Sequence, residues 1–333
     1  MSAVIPSWSA PGRAHLVASS ASAWLIAGMG QQGQLDLALS VAKAALCLSE
    51  AAHTTGVPCD QCDSCHQFDL KTHADLKVIV PEVLGLETGW PLESTAARDV
   101  EKKRRKPGQD IRVEAVRDLI AFTQLTPSGP HPLVVVVHPT ERLNVVSANT
   151  LLKTLEEPPG QTRFILTTQA ESRVLPTIKS RCLIHRMARP SDTDAKAWLL
   201  DHRVPEAQAV PLLRAAGGQV QTAMALHEAG WTAERWSGLP AALRAGHVQA
   251  LSDLAMPEVV SVLQKVCHDA LSLAQGGAPR YFEAANFPKT MHPWRLSQWA
   301  KALTDTARHA QHPYHAGLML DALVSQAQRA LQP

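Results

Sequence analysis

Residues 133–159 read LVVVVHPTERLNVVSANTLLKTLEEPP. Leu133 to Val137 is a continuous β-branched run, the pattern of a parallel strand covered on both faces. Arg142 to Glu157 then reads as a helix, with Ala148, Leu151, Leu152 and Leu155 on one face. Pro158-Pro159 stops it, because proline cannot continue the backbone hydrogen-bond ladder. A strand that runs into a helix within a few residues is the unit from which α/β folds are built.

The same unit recurs on both sides of this stretch. Ser22 to Ala27 is a short apolar run, followed by a Gly-rich turn. A helix is expected over Leu35 to Leu48, where Leu35, Leu39, Ala42 and Leu46 follow the helical period. Leu76 to Val80 and Arg163 to Thr168 read as further strands. Val113 to Leu125 reads as a helix that Pro127, Gly129 and Pro130 bring to an end. The alternation predicts a doubly wound α/β domain with a parallel sheet over residues 1–189. From Pro190 onward strand-like runs almost vanish and Ala, Leu and Gln rise. Residues 190–230 read as a small helical unit with Gly217-Gly218 at an internal turn. Residues 231–333 read as a second helical unit, broken at Gly276-Gly277 and Pro279.

Leu84 to Asp110 stands apart as a polar stretch that includes Lys102-Lys103-Arg104-Arg105-Lys106. It is expected to be a mobile surface loop. A solvated insertion is the favoured reading, and a patch contacting nucleic-acid phosphates is the other.

Composition narrows the function. A chain of 333 residues allows two domains or three small ones. With 45% apolar and 19% charged residues, it has material for real cores and is no charged disordered polymer. Its 32 basic and 30 acidic side chains leave a formal charge of +2, too little for nucleic-acid binding by bulk charge. Aromatics at 5% argue against a stacking platform for single strands. No run approaches the ~20 apolar residues of a membrane span, and Met1 to Pro11 lacks the pattern of a secretory signal. These features predict a cytoplasmic protein with no membrane partner. Six cysteines are too few for a disulfide scaffold, so clustered thiols in a reducing compartment point to metal or catalysis.

Cys59, Cys62 and Cys65 form C-x2-C-x2-C, and Cys47 lies twelve residues upstream. Two-residue spacers let one turn aim successive thiolates at one ion, and Cys47 completes a tetrahedron. Four thiolates with no open position suit structural Zn²⁺. An iron–sulfur cluster is the rival, but the proline expected after a distant fourth cysteine is missing, since Cys182 precedes Leu183. His53 and His66 are alternative ligands to Cys47. Cys182 and Cys267 are isolated and read as packing residues.

Gly28-Met29-Gly30-Gln31-Gln32-Gly33-Gln34-Leu35 has the spacing of the phosphate-binding loop G-x4-G-K-[ST]. Gln34 stands where the lysine would meet the β- and γ-phosphates, and Leu35 where a hydroxyl would hold Mg²⁺. A strand of the Walker B type ends in Asp-Glu, whereas Leu133 to Val137 ends in His138-Pro139. No ATP hydrolysis by this chain is expected.

Ala148 to Pro159 resembles the NALLKTLEEPP helix of clamp-loader ATPases. The strand from Phe164 to Thr168 follows at the expected distance. Leu175 to Cys182, ending in Ser180-Arg181-Cys182, is similar to the clamp-loader SRC motif, and the four-cysteine module resembles that of bacterial loader subunits. The resemblance to the bacterial clamp-loader AAA+ family covers residues 1–189, while the helical remainder agrees in length and class. It implies an AAA+ α/β module with a zinc insertion at 47–65, a helical lid at 190–230 and a helical collar at 231–333. It further implies a pentameric loader, part of the DNA polymerase III holoenzyme, with gamma/tau motor subunits and a delta subunit. That assembly opens the sliding clamp and places it on primed DNA. In it Arg181 would serve as an arginine finger in trans, with Ser180 setting its turn and Cys182 packed beneath. The motor paralogues need Lys and Thr where Gln34 and Leu35 stand, and Asp-Glu where His138 and Pro139 stand, so the chain resembles a non-hydrolysing, stationary member. No Arg lies between Gly217 and Ala225, where such ATPases place a nucleotide-sensing arginine. Two other readings remain open at this point. They are an active AAA+ motor and a zinc-bearing DNA-binding module acting through Lys102 to Lys106.

Overall fold

Five strands, β1 (Ala23–Ala27), β2 (Leu76–Ile79), β3 (Val134–Val137), β4 (Arg163–Thr168) and β5 (Leu183–Arg186), form one parallel sheet in the computed structural model. The structure describes residues 6–30, 32–93, 105–309 and 315–332. Strand order is β2-β3-β4-β1-β5, with Leu76 opposite Val134, Val134 opposite Arg163, and Ala23 opposite Phe164. Trp24, Ile26, Val134, Val136 and Ile165 face one apolar core. Leu25, Val135, Val137, Phe164 and Leu166 face the other. Burial on both faces is why these strands read as continuous apolar runs rather than alternating ones.

Helices cover both faces. On one side α1 (Ala10–Ala18) and α2 (Gln34–Leu46) contribute Leu16, Leu37 and Val41. Between α2 and β2 lie the short α3 (Glu50–Thr55) and α4 (Asp63–Asp69), and α5 (Glu82–Thr88) follows β2. On the other side α6 (Val113–Thr123) and α7 (Val145–Glu156) contribute Val116, Leu119, Leu151 and Leu155. A short α8 (Pro176–Lys179) leads into β5. Because β1 lies between β4 and β5, the chain leaves β1 for the far edge and works back. The crevice where such sheets bind ligands therefore opens at the carboxyl ends of β1 and β4.

Two expectations need correction. The helix expected from Arg142 begins at Val145, because Thr140–Arg142 forms a 3-10 turn. Asn144 then caps α7, its Oδ1 accepting the Ser147 N–H at 2.8 Å. Leu84 to Asp110 is not a loop throughout: it starts inside α5, and Trp90 is buried against Phe68. The buried Glu82 carboxylate binds the Arg105 guanidinium at 2.5 and 2.7 Å and the Gly108 N–H at 2.6 Å. Arg105 holds the Glu82 carboxyl below its ordinary range despite burial. Arg105 is thus an anchor of the fold. Lys102, Lys103 and Arg104 lie outside the described residues.

The chain divides into two units at Pro190/Ser191. Among the described residues the second unit is helical: α9 (Asp192–Asp201), α10 (Glu206–Ala215), α11 (Val220–Glu228), α12 (Ala233–Ala245), α13 (Met256–Ala274), α14 (Pro293–His309) and α15 (Ala316–Ala330). Its buried polar anchor is Asp269 on α13, at 0% exposure. Asp269 accepts the backbone N–H groups of Arg280, Tyr281 and Phe282 at 2.9, 2.6 and 2.8 Å. These bonds hold Phe282 stacked on Trp236, with ring centroids 4.9 Å apart. Asp269→Ala strands all three donors, each costing about 1–3 kcal/mol where water cannot reach. A loss of about 3–5 kcal/mol is expected in urea unfolding of the full chain. A loss below about 1 kcal/mol would mean that water replaces the carboxylate. Among the described residues no helix is long and apolar enough to cross a membrane.

Candidate functional site

Cys47 sits directly after α2, and Cys62 caps α4, its Sγ accepting the Cys65 N–H at 3.5 Å. Asp60, in the left-handed region at φ 55°, turns the chain between Cys59 and Cys62. All four sulfur atoms lie within 4.8 Å of one another. Cys47 and Cys62 are 4.0 Å apart, as are Cys59 and Cys65. A tetrahedron with metal–sulfur bonds of about 2.3 Å has edges of about 3.8 Å. The arrangement therefore fits a four-coordinate ion, and an all-sulfur donor set fits zinc. His53 is not brought into the set. Its Nε2 lies 2.9 Å from the Cys47 carbonyl oxygen, and its ring packs on His131. His66 stands outside the group as well.

The surroundings bias the thiols unequally. Backbone N–H groups of Gln61 and Cys62 bring the Cys59 thiol down to about 6. Burial pushes Cys47 and Cys65 up. The buried pair needs a cation beside it before both sulfurs can carry charge. Burial also takes Cys182 and Cys267 up to about 12, which makes them inert packing thiols.

Sequence reading missed what ties this knuckle to the fold. Lys43 on α2 is 5% exposed, yet its Nζ pairs with Asp60 at 2.5 Å and Asp69 at 2.8 Å. Burial opposes the Lys43 charge, and the two carboxylates outweigh it, leaving its pKa above the ordinary lysine value. Ser64 adds a 2.6 Å bond to the Leu46 carbonyl. A lone lysine among the apolar residues of α2 was the available signal.

The Gly-rich loop joins β1 to α2, with Gly33 at φ 81° just before the first helical residue. Gln34 is 2% exposed and folds back into the loop. Its Nε2 donates to the carbonyls of Gly30 at 2.6 Å and Thr168 at 3.3 Å, and its Oε1 accepts the Gln32 N–H at 3.0 Å. A Cβ on Gly28 would meet the Gln34 amide, so a larger residue there would push the plug aside. The Gly28 N–H donates to Thr168 and the Gly30 N–H to Gln169. The Met29 N–H donates to Gln32 Oε1 at 3.2 Å. The backbone donors of Gly28, Met29, Gly30 and Gln32, in the first part of the loop, are here engaged by the chain itself. Leu35 packs on the apolar core beneath.

His138 directly follows β3, buried, with Nδ1 2.6 Å from Thr167 Oγ1. Burial lowers it to about 4, so it is neutral at pH 7. Pro139 opens the 3-10 turn that follows. The nearby carboxylate, Glu141, receives the Gln169 N–H at 3.0 Å.

Ser180 and Arg181 follow α8. Arg181 Nε and Nη2 both bond Glu156 Oε2, at 3.2 and 3.0 Å, and Nη1 donates to the Thr177 carbonyl at 3.0 Å. Ser180 Oγ donates to the same carbonyl at 3.1 Å. The Arg181 side chain is 29% exposed, and Cys182 is buried in the core.

A family model described as DNA polymerase III, delta subunit, matches residues 17–191. The DNA polymerase III subunit delta' of Pseudomonas aeruginosa is 34% identical over 221 residues, covering 66% of this chain and 59% of that protein. The DNA polymerase III subunit tau of Escherichia coli is 29% identical over 211 residues, covering 61% of this chain and 28% of that protein. The chain spans about three fifths of the length of the delta' relative and less of the tau relative. A crystal structure of a DNA polymerase III gamma subunit-related protein from Thermotoga maritima superposes with a TM-score of 0.51 at 17% identity, covering 97% of this chain and 99% of that one. At that identity the likeness concerns the fold alone.

Proposed function

The chain belongs to the DNA polymerase III delta-subunit family, and from that premise we propose that it acts as the delta prime subunit of a bacterial clamp loader. In this reading it is an AAA+ stator that hydrolyses no ATP itself. It works with gamma/tau motor subunits and a delta subunit to place the sliding clamp on primed DNA. The observation that carries the reading is Gln34, whose amide fills the phosphate loop and bonds the loop's own backbone. Neither Gln34 nor Leu35 offsets a triphosphate or holds Mg²⁺, and neutral His138 cannot replace a metal-binding carboxylate.

Arg181 takes the role of an arginine finger, reaching the γ-phosphate of ATP held by a neighbouring motor subunit. Ser180 shapes its turn. Cys47, Cys59, Cys62 and Cys65 hold a structural Zn²⁺, which leaves no position for substrate or water. Residues 190–230 serve as the lid and 231–333 as the collar that joins the loader. Two assays test the proposal together. The isolated chain is expected to show no saturable binding of a fluorescent ATP analogue at micromolar concentrations. DNA- and clamp-stimulated ATP turnover by motor and delta subunits is expected to need this chain. Micromolar binding, or full turnover without it, overturns the reading.

A further inference from the structure

The side chain that fixes Arg181 is Glu156, the last residue of α7, 25 positions earlier in the chain. We propose that Glu156 is a positioning residue, which holds the Arg181 guanidinium with its outer tip presented to a neighbouring subunit. The inference rests on the arginine-finger reading above and deepens it.

A guanidinium has five N–H donors in a rigid plane. Nε and Nη2 of Arg181 both point at one oxygen, Glu156 Oε2, so the bonded Nη2 hydrogen is the one on the Nε side. The other Nη2 hydrogen then points to the tip, away from Glu156. Nη1 donates to the Thr177 carbonyl, four residues back along the chain, with Ser180 Oγ 3.3 Å away. The plane is therefore gripped by a carboxylate on one edge and a carbonyl near the other. An arginine free to rotate on its long stem would give up that rotamer entropy on meeting a phosphate, and a pre-aligned one gives up less.

Glu156 also suits the task by position. It ends a helix whose start is fixed by the Asn144 cap and whose end is fixed by Pro158-Pro159. Glu156 itself is more than half exposed, so its carboxylate remains hydrated and adds little to the stability of the isolated chain. An exposed residue with little stability to give, paired to a residue with a proposed role across an interface, is explained by orientation of that partner.

The test uses the assembled loader carrying Glu156→Gln, Arg181→Ala or both changes. Glu156→Gln is expected to slow the single-turnover phase of DNA-stimulated ATP hydrolysis at the motor site Arg181 serves by about 5- to 30-fold, with the ATP concentration that half-saturates that phase unchanged, since alignment is realised in the transition state. The melting temperature of the free chain is expected to stay within about 2 °C of native. The double variant is expected to be no slower than Arg181→Ala alone, because Glu156 has nothing to position once the guanidinium is gone. If Arg181→Ala is silent, the finger reading falls. If Arg181→Ala is slow while Glu156→Gln is native or faster, or the two losses multiply, the finger stands and the positioning role is overturned.

Discussion

Arg181→Ala is expected to slow ATP hydrolysis at the motor site it serves by roughly 10³- to 10⁵-fold, while the loader still assembles. The size follows from what a finger does. It brings a fixed positive charge to the γ-phosphate as charge develops there, and that lowers the barrier by roughly 4–7 kcal/mol. The fold gives no reason for the variant to misfold. Arg181 lies at the surface, its partner Glu156 is more exposed still, and such ion pairs are worth about 0–1 kcal/mol. Turnover at any motor site that does not depend on Arg181 is untouched, so the steady-state rate alone understates the loss. Single-turnover hydrolysis separates the sites, and one kinetic phase is expected to disappear. Arg181→Lys keeps the charge but not the planar fork, and recovers only part of the phase. A time course identical to native refutes the role.

Strands β1, β3 and β4 were legible because burial on both faces writes unbroken apolar runs. β5 was not. Leu183-Ile184-His185-Arg186 is a partly exposed edge strand that exists through pairing with β1, a tertiary cause with no local signature. The start of α7 was misplaced for a similar reason, since the cap at Asn144 is chosen over earlier polar residues by the turn before it. In the site, residue types and spacing marked the four thiols and the degenerate loop, whereas Arg181 was marked only by the resemblance of its segment to the clamp-loader SRC motif. Which of Cys47 and His53 joins the cluster depended on where α3 turns the imidazole, which spacing does not encode. Lys43 and Glu156 stayed hidden because each finds its partner only when the chain returns, 17 to 26 residues later for Lys43 and 25 for Glu156.

In the proposed stator reading, the Gln34 plug and the Arg181 tip divide the labour. A loop that bonds its own backbone needs no nucleotide to hold its shape. In that reading the proposed finger, set just before β5 where it pairs with β1, is presented in a constant position. Stationarity, in physical terms, is the absence of a ligand whose arrival or hydrolysis would change the loop.

Removing the metal is expected to have the second large effect, and to act through stability. Elemental analysis of protein prepared without chelators is expected to give one zinc and no iron per chain. Apparent binding free energies for structural zinc run at about 10–16 kcal/mol, because the site does not exist in the unfolded chain. How much of this reaches the α/β unit depends on how firmly the knuckle is joined to it. Lys43 bridges to Asp60 and Asp69, and Ser64 bonds Leu46, so the knuckle is fixed to α2, which packs directly on the sheet. With the ion gone, burial of Cys47 and Cys65 favours neutral thiols, and the turn around Asp60 loses its centre. A chelator is therefore expected to lower the melting temperature of the full chain by about 10 °C or more, the shift that about 4 kcal/mol gives in a unit of this size. Limited proteolysis is expected to cut first between Val57 and Gln61. Cys47→Ser is expected to reproduce the loss in the absence of chelator, since a buried hydroxyl is a poor replacement for thiolate. Iron in the protein would revive the cluster alternative. A melting curve indifferent to both chelator and Cys47→Ser would mean that the Lys43 and Ser64 bonds alone hold the knuckle, with any metal incidental to the fold.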